Sequence, residues 1–233
     1  MFRTLLGYLG AGPNTILFSL LIIIVSPFSR SGRLMHRLAV VWAKHLLFLT
    51  GVKVTITGGK EIRPGENYIF ASNHQSAFDI LALLACLPVS FRWLAKDSLF
   101  HIPVFGWAMK QAGYIPIERE KGRSAYESLI KAAEKIEKGV SVVIFPEGTR
   151  SEDGTLGPFK PGGFVLAIKS QRPMIPVTIM GSHLIMPKGT LKLRPGFIQV
   201  NLGHPIPTRG LSVKDKGKLM ENMRTEIIKG YGN

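Results

Sequence analysis

Cysteine is almost missing from this chain of 233 residues: Cys86 stands alone, so no disulfide can close within it. Neither a cysteine-rich metal site nor a secreted disulfide framework can be built, and a reducing, cytosol-facing setting fits. Acidic residues are scarce as well, 15 against 30 lysines and arginines, and the resulting formal charge of +15 draws the protein towards polyanions or anionic headgroups. The six histidines are scattered, without the spacing that gathers metal ligands. Internal repeats and low-complexity linkers are absent. The length suits one domain with a short appendage.

What is present in quantity is apolar sequence, 45% of the residues. From Thr4 to Ser29 no side chain is charged, and Ile16 to Val25 is nearly continuous hydrocarbon. A spanning helix needs about 20 such residues, and here Gly10, Gly12 and Pro13 interrupt the run and Pro27 closes it, so spanning and interfacial docking both stay open. A cleaved signal peptide is disfavoured by a basic n-region of Arg3 alone and no small-x-small site after Val25. The next segment, Ser31 to Thr50, spaces Leu34, Leu38, Val41/Trp42, Leu46 and Leu49 as one helical stripe, with Arg33, Arg37 and Lys44 on another side. A basic amphipathic helix of this kind lies in a membrane interface, or packs on the core of its own domain. Residues 1–50 are expected to form a membrane-docking helical hairpin and 51–233 the catalytic domain. A charge-free apolar run beside so many cations favours a membrane over nucleic acid.

From Gly51 onward short β-branched runs alternate with helical stretches, which predicts an α/β domain on a mixed, largely parallel sheet of about seven strands flanked by helices. The strands are expected at Val52–Thr57, Tyr68–Ala71, Phe91–Ala95, Tyr114–Ile117, Val140–Phe145, Met174–Met180 and Phe197–Leu202. The clearest helix runs from Ser124 to Lys138, with Ser124 and Glu127 as a capping box, an apolar stripe of Leu129, Ala133 and Ile136, and Gly139 as its stop. A last helix from about Ser212 to Lys229 turns Leu219, Met223 and Ile227 inward.

Two apolar strands run straight into polar, turn-prone sequence, and ligands of α/β folds bind beyond such carboxyl ends. After Ala71 comes Asn73-His74-Gln75-Ser76-Ala77-Phe78-Asp79. A turn there brings the Asp79 carboxylate to the His74 imidazole, where it fixes the tautomer of a base able to take a proton from an alcohol; a loop histidine beside a helix-capping aspartate is the plainer alternative. After Phe145 comes Pro146-Glu147-Gly148-Thr149-Arg150. Here the planar fork of Arg150 suits phosphate, Glu147 can hold a neighbouring donor or a substrate hydroxyl, and Gly148 lets backbone approach a ligand. A surface ion pair of Glu147 with Arg150 is the alternative. Between these blocks, Gly113 to Arg119 is a short strand delivering a second arginine to the same phosphate. Ile175-Pro176-Val177 lies in a strand that fills the core or lines a pocket.

These four blocks, in this order and spacing, resemble those of the glycerol-phosphate acyltransferase superfamily, and most closely its 1-acylglycerol-3-phosphate acyltransferases. Asn73, His74 and Asp79 look like the family's Asn-His-four-residues-Asp block, and Phe145 to Arg150 is similar to its Phe-Pro-Glu-Gly-Thr-Arg block. Gly113 to Arg119 departs from the pattern by placing Pro116 where an aromatic ring is common. The resemblance implies direct transfer of an acyl group from a thioester, acyl-CoA or acyl-carrier protein, to the free hydroxyl of lysophosphatidic acid, without an acyl-enzyme, a cofactor or a metal. It implies His74 and Asp79 as the catalytic pair and Asn73, Arg119, Glu147, Gly148, Thr149 and Arg150 as substrate-binding. Ser76 lacks the surroundings of a nucleophilic serine and is expected to support the loop. Lys96, following Phe91–Ala95, is a candidate oxyanion donor. The implied setting is the cytoplasmic face of a membrane, the inner or plasma membrane if the source is bacterial. Two other readings stay open: acylation of glycerol-3-phosphate or another lysophospholipid, and a noncatalytic basic protein that binds lipid or nucleic acid. Oligomeric state is left open.

Overall fold

The computed structural model describes residues 2–29, 32–63, 65–118 and 123–232. Seven strands form one sheet: β1 (Val52–Gly58), β2 (Ile69–Ser72), β3 (Phe91–Lys96), β4 (Ile115–Ile117), β5 (Ser141–Ile144), β6 (Met174–Met180) and β7 (Gly196–Leu202). Their order is β1-β7-β6-β2-β5-β3-β4, and among the strand pairs of the described residues only β6 against β7 is antiparallel, so the sheet is mixed and largely parallel. Every expected strand is present, with ends displaced by a residue or so.

Every residue of β2 and β5 is buried, as a central parallel strand covered on both faces requires. Alternation along them divides the core in two. Phe70 and Val143 point to a cluster with Leu83, Phe91, Ile175 and Val177, covered by α2 (Arg33–Thr50) and α3 (Phe78–Cys86). Ile69, Ala71, Val142 and Ile144 point the other way, against α5 (Arg123–Glu137) and α6 (Gly162–Ser170), joined there by the last helix, Lys216–Lys229. On α5, Ala133 and Ile136 are buried as the periodicity predicts. Its cap differs: the helix starts at Arg123, so Ser124 lies inside it rather than at its N-cap, and the Ser124 side chain lies outside the described residues. A capping box does form at Ser212, whose hydroxyl and N–H both meet the Asp215 carboxylate, ahead of the last helix. That helix buries Leu219, Met223 and Ile227.

At the N-terminus α1 (Phe2–Val25) continues through Pro13 and packs along α2, where Asn14 meets His45 at 2.6 Å and Trp42 donates to Thr15 at 3.2 Å. Over Gly7–Phe28 this segment is long and apolar enough to cross a membrane by length and composition. The inward face of α2 differs from the expected stripe. It consists of Met35, His36, Ala39, Ala43, Leu46, Leu47 and Thr50, whereas Leu34 and Val41 are exposed. The cause is packing: α2 is held between α1 and α3, so two of its faces are covered and no single apolar seam describes it.

Two short helices complete the core-facing set. α4 (Phe105–Gln111) follows a 3-10 turn at Asp97–His101 and leans on α1, while α7 (Ser182–Ile185) follows β6; the last helix is therefore α8.

Candidate active site

Adjacent parallel strands bring the two polar blocks together. Ala71 of β2 is in register with Ile144 of β5, so the chain segments after them leave the sheet side by side at its carboxyl edge. β3 and β4 end at that edge too, with Lys96 opposite Ile117.

Beyond β2 the chain turns into α3, whose first turn carries Asp79, fully buried. One oxygen of that carboxylate organises the turn: Oδ2 accepts the backbone N–H of Gln75 at 2.7 Å and of Ser76 at 2.8 Å, and lies 2.7 Å from His74 Nδ1. An ionised carboxylate only accepts, so Nδ1 carries the ring proton and Nε2 is left as the basic nitrogen. The ring plane is fixed by stacking on Phe145 at 3.8 Å and 11°, and Phe145 in turn lies parallel to Trp93 at 5.5 Å. Ser76 is buried and donates its hydroxyl to the Met186 carbonyl, which makes it a brace for the loop.

Beyond β5, Glu147 is only 5% exposed and both its oxygens are occupied by backbone, Oε1 by His74 N–H at 2.7 Å and Oε2 by Gly157 N–H at 2.8 Å. Burial raises the pKa of this carboxyl, against the opposing pull of the two N–H donors and of His74. Glu147 was expected to hold a neighbouring donor or a substrate hydroxyl; both its oxygens hold backbone donors, which ties the histidine loop to the following loop, and the residue also lines the cavity beside them. Ser151 adds a second tie, donating its N–H to the His74 carbonyl at 2.7 Å. Gly148 adopts φ +72°, and a Cβ there would meet the Lys160 side chain at 3.0 Å, so the missing side chain makes room for a lysine. Thr149, Arg150, Lys160 and Lys188 line a polar cavity of about 460 Å3 with the carboxylates of Glu147, Glu152 and Asp153 at its edge. Lys188 is paired with Glu152 at 3.3 Å.

On its other side His74 lines an apolar cavity of about 490 Å3 enclosed by α1, α3, β3 and α4, with Phe18, Phe78, Trp93 and Met109 among its walls. Lys96 lines the same cavity and is exposed. The histidine thus sits where a greasy chamber meets the ends of the central strands.

Asn73 was expected to touch substrate, and its geometry corrects this. It is 1% exposed and spends its amide internally: Oδ1 accepts Ile179 N–H at 2.7 Å, and Nδ2 donates to the Ile179 carbonyl at 2.8 Å and the Tyr231 hydroxyl at 2.9 Å. Its work is to pin the histidine loop to the end of β6. Arg119, the proposed second phosphate ligand, lies outside the described residues. Two participants had no sequence signal. Tyr231 reaches Asn73 from the C-terminus, and Arg224 of α8 donates to the carbonyls of Gly157 and Leu156 while covering the Phe159 ring, so it holds the loop that Glu147 grips. Among the described residues no group of three or more His, Cys, Asp or Glu side chains could hold a metal ion.

The α/β sheet presents a carboxylate-backed imidazole beside a pocket of mixed charge and a hydrocarbon chamber, an arrangement chemically able to activate a hydroxyl by general base. Comparison with known proteins makes this specific: residues 53–180 match the acyltransferase family, and the chain belongs to it. It is 39% identical over 203 residues to the chloroplastic 1-acyl-sn-glycerol-3-phosphate acyltransferase BAT2 of Brassica napus, covering 84% of this chain and 58% of that protein. Against the human 1-acyl-sn-glycerol-3-phosphate acyltransferase alpha it is 32% identical over 185 residues, 79% of this chain and 65% of the relative. It therefore spans less than two thirds of these relatives' length. The crystal structure of the 1-acyl-sn-glycerophosphate acyltransferase PlsC from Thermotoga maritima superposes with a TM-score of 0.77 at 25% identity, over 96% of this chain and 94% of that one.

Proposed function

We propose that the protein transfers a fatty acyl group from an acyl thioester to the free sn-2 hydroxyl of 1-acylglycerol-3-phosphate, producing phosphatidic acid at a membrane surface. The observation that carries this is the position of His74, buffered by Asp79 on Nδ1 and lining an apolar cavity while its backbone is tied to the Arg150 turn. His74 Nε2 takes the hydroxyl proton as the oxygen forms its bond to the thioester carbonyl. The tetrahedral intermediate collapses by breaking the C–S bond, and the imidazolium returns its proton to the departing thiolate. Asp79 stabilises the imidazolium throughout. General-base assistance of this kind is worth roughly a hundred- to ten-thousandfold in rate.

In this reading Arg150 and the Thr149 turn bind the acceptor phosphate, helped by Lys160 in the same cavity and by Arg119, while Lys96 at the rim of the apolar cavity serves the oxyanion or the donor's acidic groups. The apolar cavity takes an acyl chain. Residues 1–50 dock the enzyme to the membrane, and 51–233 carry the chemistry on the cytosolic side, in keeping with the charge of +15 and the lone cysteine. No cofactor is needed beyond the thioester, from acyl-CoA or acyl-carrier protein.

The test is lipid mass spectrometry on the purified protein, offered several lysophospholipids and glycerol-3-phosphate with each thioester donor. Phosphatidic acid from 1-acylglycerol-3-phosphate is the expected dominant product. Faster acylation of glycerol-3-phosphate, or no acylation at all, overturns the reading.

A further inference from the structure

The mouth of the apolar cavity can be located from exposure. Of the described residues that line it, Lys96 and Leu99 are the exposed ones, so the chamber opens to the surface at the end of β3 and the 3-10 turn after it. The same short stretch then shows two more large apolar side chains to the outside, Ile102 at 45% and Trp107 at 56% exposure. They are not accidental lodgers on a mobile tip. Trp107 sits on α4, which is anchored from behind where Ala108 and Ala112 pack with Ile22 of α1 and Met35 of α2, and Ile102 lies just ahead of that helix. Tryptophan on a fixed surface beside an opening is costly in water unless something apolar covers it.

The geometry points to the segment from Leu99 to Trp107 as a second lipid-contacting element, separate from the N-terminal hairpin, through which an acyl chain passes from the bilayer into the cavity. The occupant is the acyl and headgroup boundary of an anionic membrane, on three grounds. The apolar surface of α1, with Leu17, Leu20 and Ile24 exposed, lies on the helix that α4 packs against, so the two exposed sets belong to neighbouring elements. The exposed cations Lys96 and Lys110 flank the segment, as an interfacial element facing anionic headgroups demands. The chamber behind the opening is itself hydrocarbon-lined, so a chain leaving the bilayer here meets no polar barrier. Passage at this rim brings an acyl chain into the chamber that His74 lines.

This rests on the lipid acyltransferase reading above, and the experiment separates the two. The full chain is mixed with vesicles of equal parts phosphatidylcholine and phosphatidylglycerol, with and without brominated acyl chains, and tryptophan emission is recorded for the wild type and for Trp107→Phe. Bromolipid should quench the wild type, and the substitution, which keeps an aromatic ring on α4, should remove a distinct share of the quenchable emission, the remainder coming from Trp42 and Trp93 on the cavity wall. An Ile102→Ser/Trp107→Ser double variant should turn over long-chain lysophosphatidate in these vesicles about tenfold more slowly than wild type, yet match it on a short-chain, water-soluble lysophosphatidate. Unquenched Trp107, or equal loss on both substrates, overturns the proposal. A wild type that is quenched through Trp107 but acylates neither substrate sinks the functional reading and leaves the lipid contact standing.

Discussion

His74 Nδ1 lies 2.7 Å from Asp79 Oδ2, and that same oxygen holds the N–H groups of Gln75 and Ser76. One atom therefore sets both the ring tautomer and the shape of the turn that carries the ring. The imidazole and its scaffold are not separable through Asp79, but they are through His74.

Substituting each in turn should expose that difference. His74→Ala should abolish acyl transfer, by roughly a hundred- to ten-thousandfold, while leaving the fold and membrane binding nearly intact, since the ring is partly exposed. Asp79→Ala should lose comparable activity and in addition about 2 to 4 kcal/mol of stability, because two buried N–H donors lose their acceptor. Turnover and thermal unfolding measured together decide it. Equal stability in the two variants contradicts the dual role.

Arg150 should act on one substrate only. Its turn lines the polar cavity rather than the hydrocarbon one, so Arg150→Ala is expected to raise KM for lysophosphatidate roughly ten- to a hundredfold, the cost of one charge-assisted contact, with a much smaller change for the thioester donor. Steady-state kinetics with each substrate varied in turn would show it. Equal effects on both count against a phosphate role.

A remote hydroxyl should also matter. Asn73 Nδ2 has two hydrogens, one satisfied by the Ile179 carbonyl and one by the Tyr231 hydroxyl. Tyr231→Phe leaves the second unpaired in a buried site, costing about 1 to 3 kcal/mol of stability. Because Asn73 precedes His74, kcat should fall severalfold with KM for the acceptor unchanged. A rise in KM without a fall in kcat would mean that Tyr231 touches substrate instead of positioning the loop.

That hydroxyl shows where sequence reading stops. The strands, their approximate ends and the two polar blocks were legible because β-branched runs and turn residues are local signals. The pairing of β2 with β5, which sets His74 beside the Arg150 turn, is consistent with those blocks but not encoded in their spacing. Asn73 and Glu147 look from sequence like ligands, yet they bond to the backbone of Ile179, His74 and Gly157, groups with no side-chain identity to read. Tyr231 is 158 residues from its partner. The stripe on α2 misled for a related reason: a helix gripped by α1 on one side and α3 on the other buries residues that a single seam does not predict.

The helix α2 also carries the clearest expected pH response. Burial, aided by the positive charge of Arg92, lowers the His36 pKa to about 4, and the ring packs edge-on against Phe91 at 4.8 Å. The folded protein therefore favours neutral His36, whereas the unfolded chain takes up a proton near its ordinary value of about 6.5. Above that value neither state binds the proton and His36 contributes no pH dependence. As pH falls below it the unfolded state gains protons first, so stability is lost progressively, by about 2 kcal/mol at pH 5 and about 3 kcal/mol by pH 4, where the folded state begins to protonate as well. His36→Leu fills a similar volume and removes a buried ring nitrogen, Nδ1, that has no hydrogen-bond partner among the described residues. Chemical denaturation at pH 7 and pH 5 should show the wild type losing about 2 kcal/mol more than this variant. Parallel losses in the two proteins would place the acid sensitivity elsewhere than at His36.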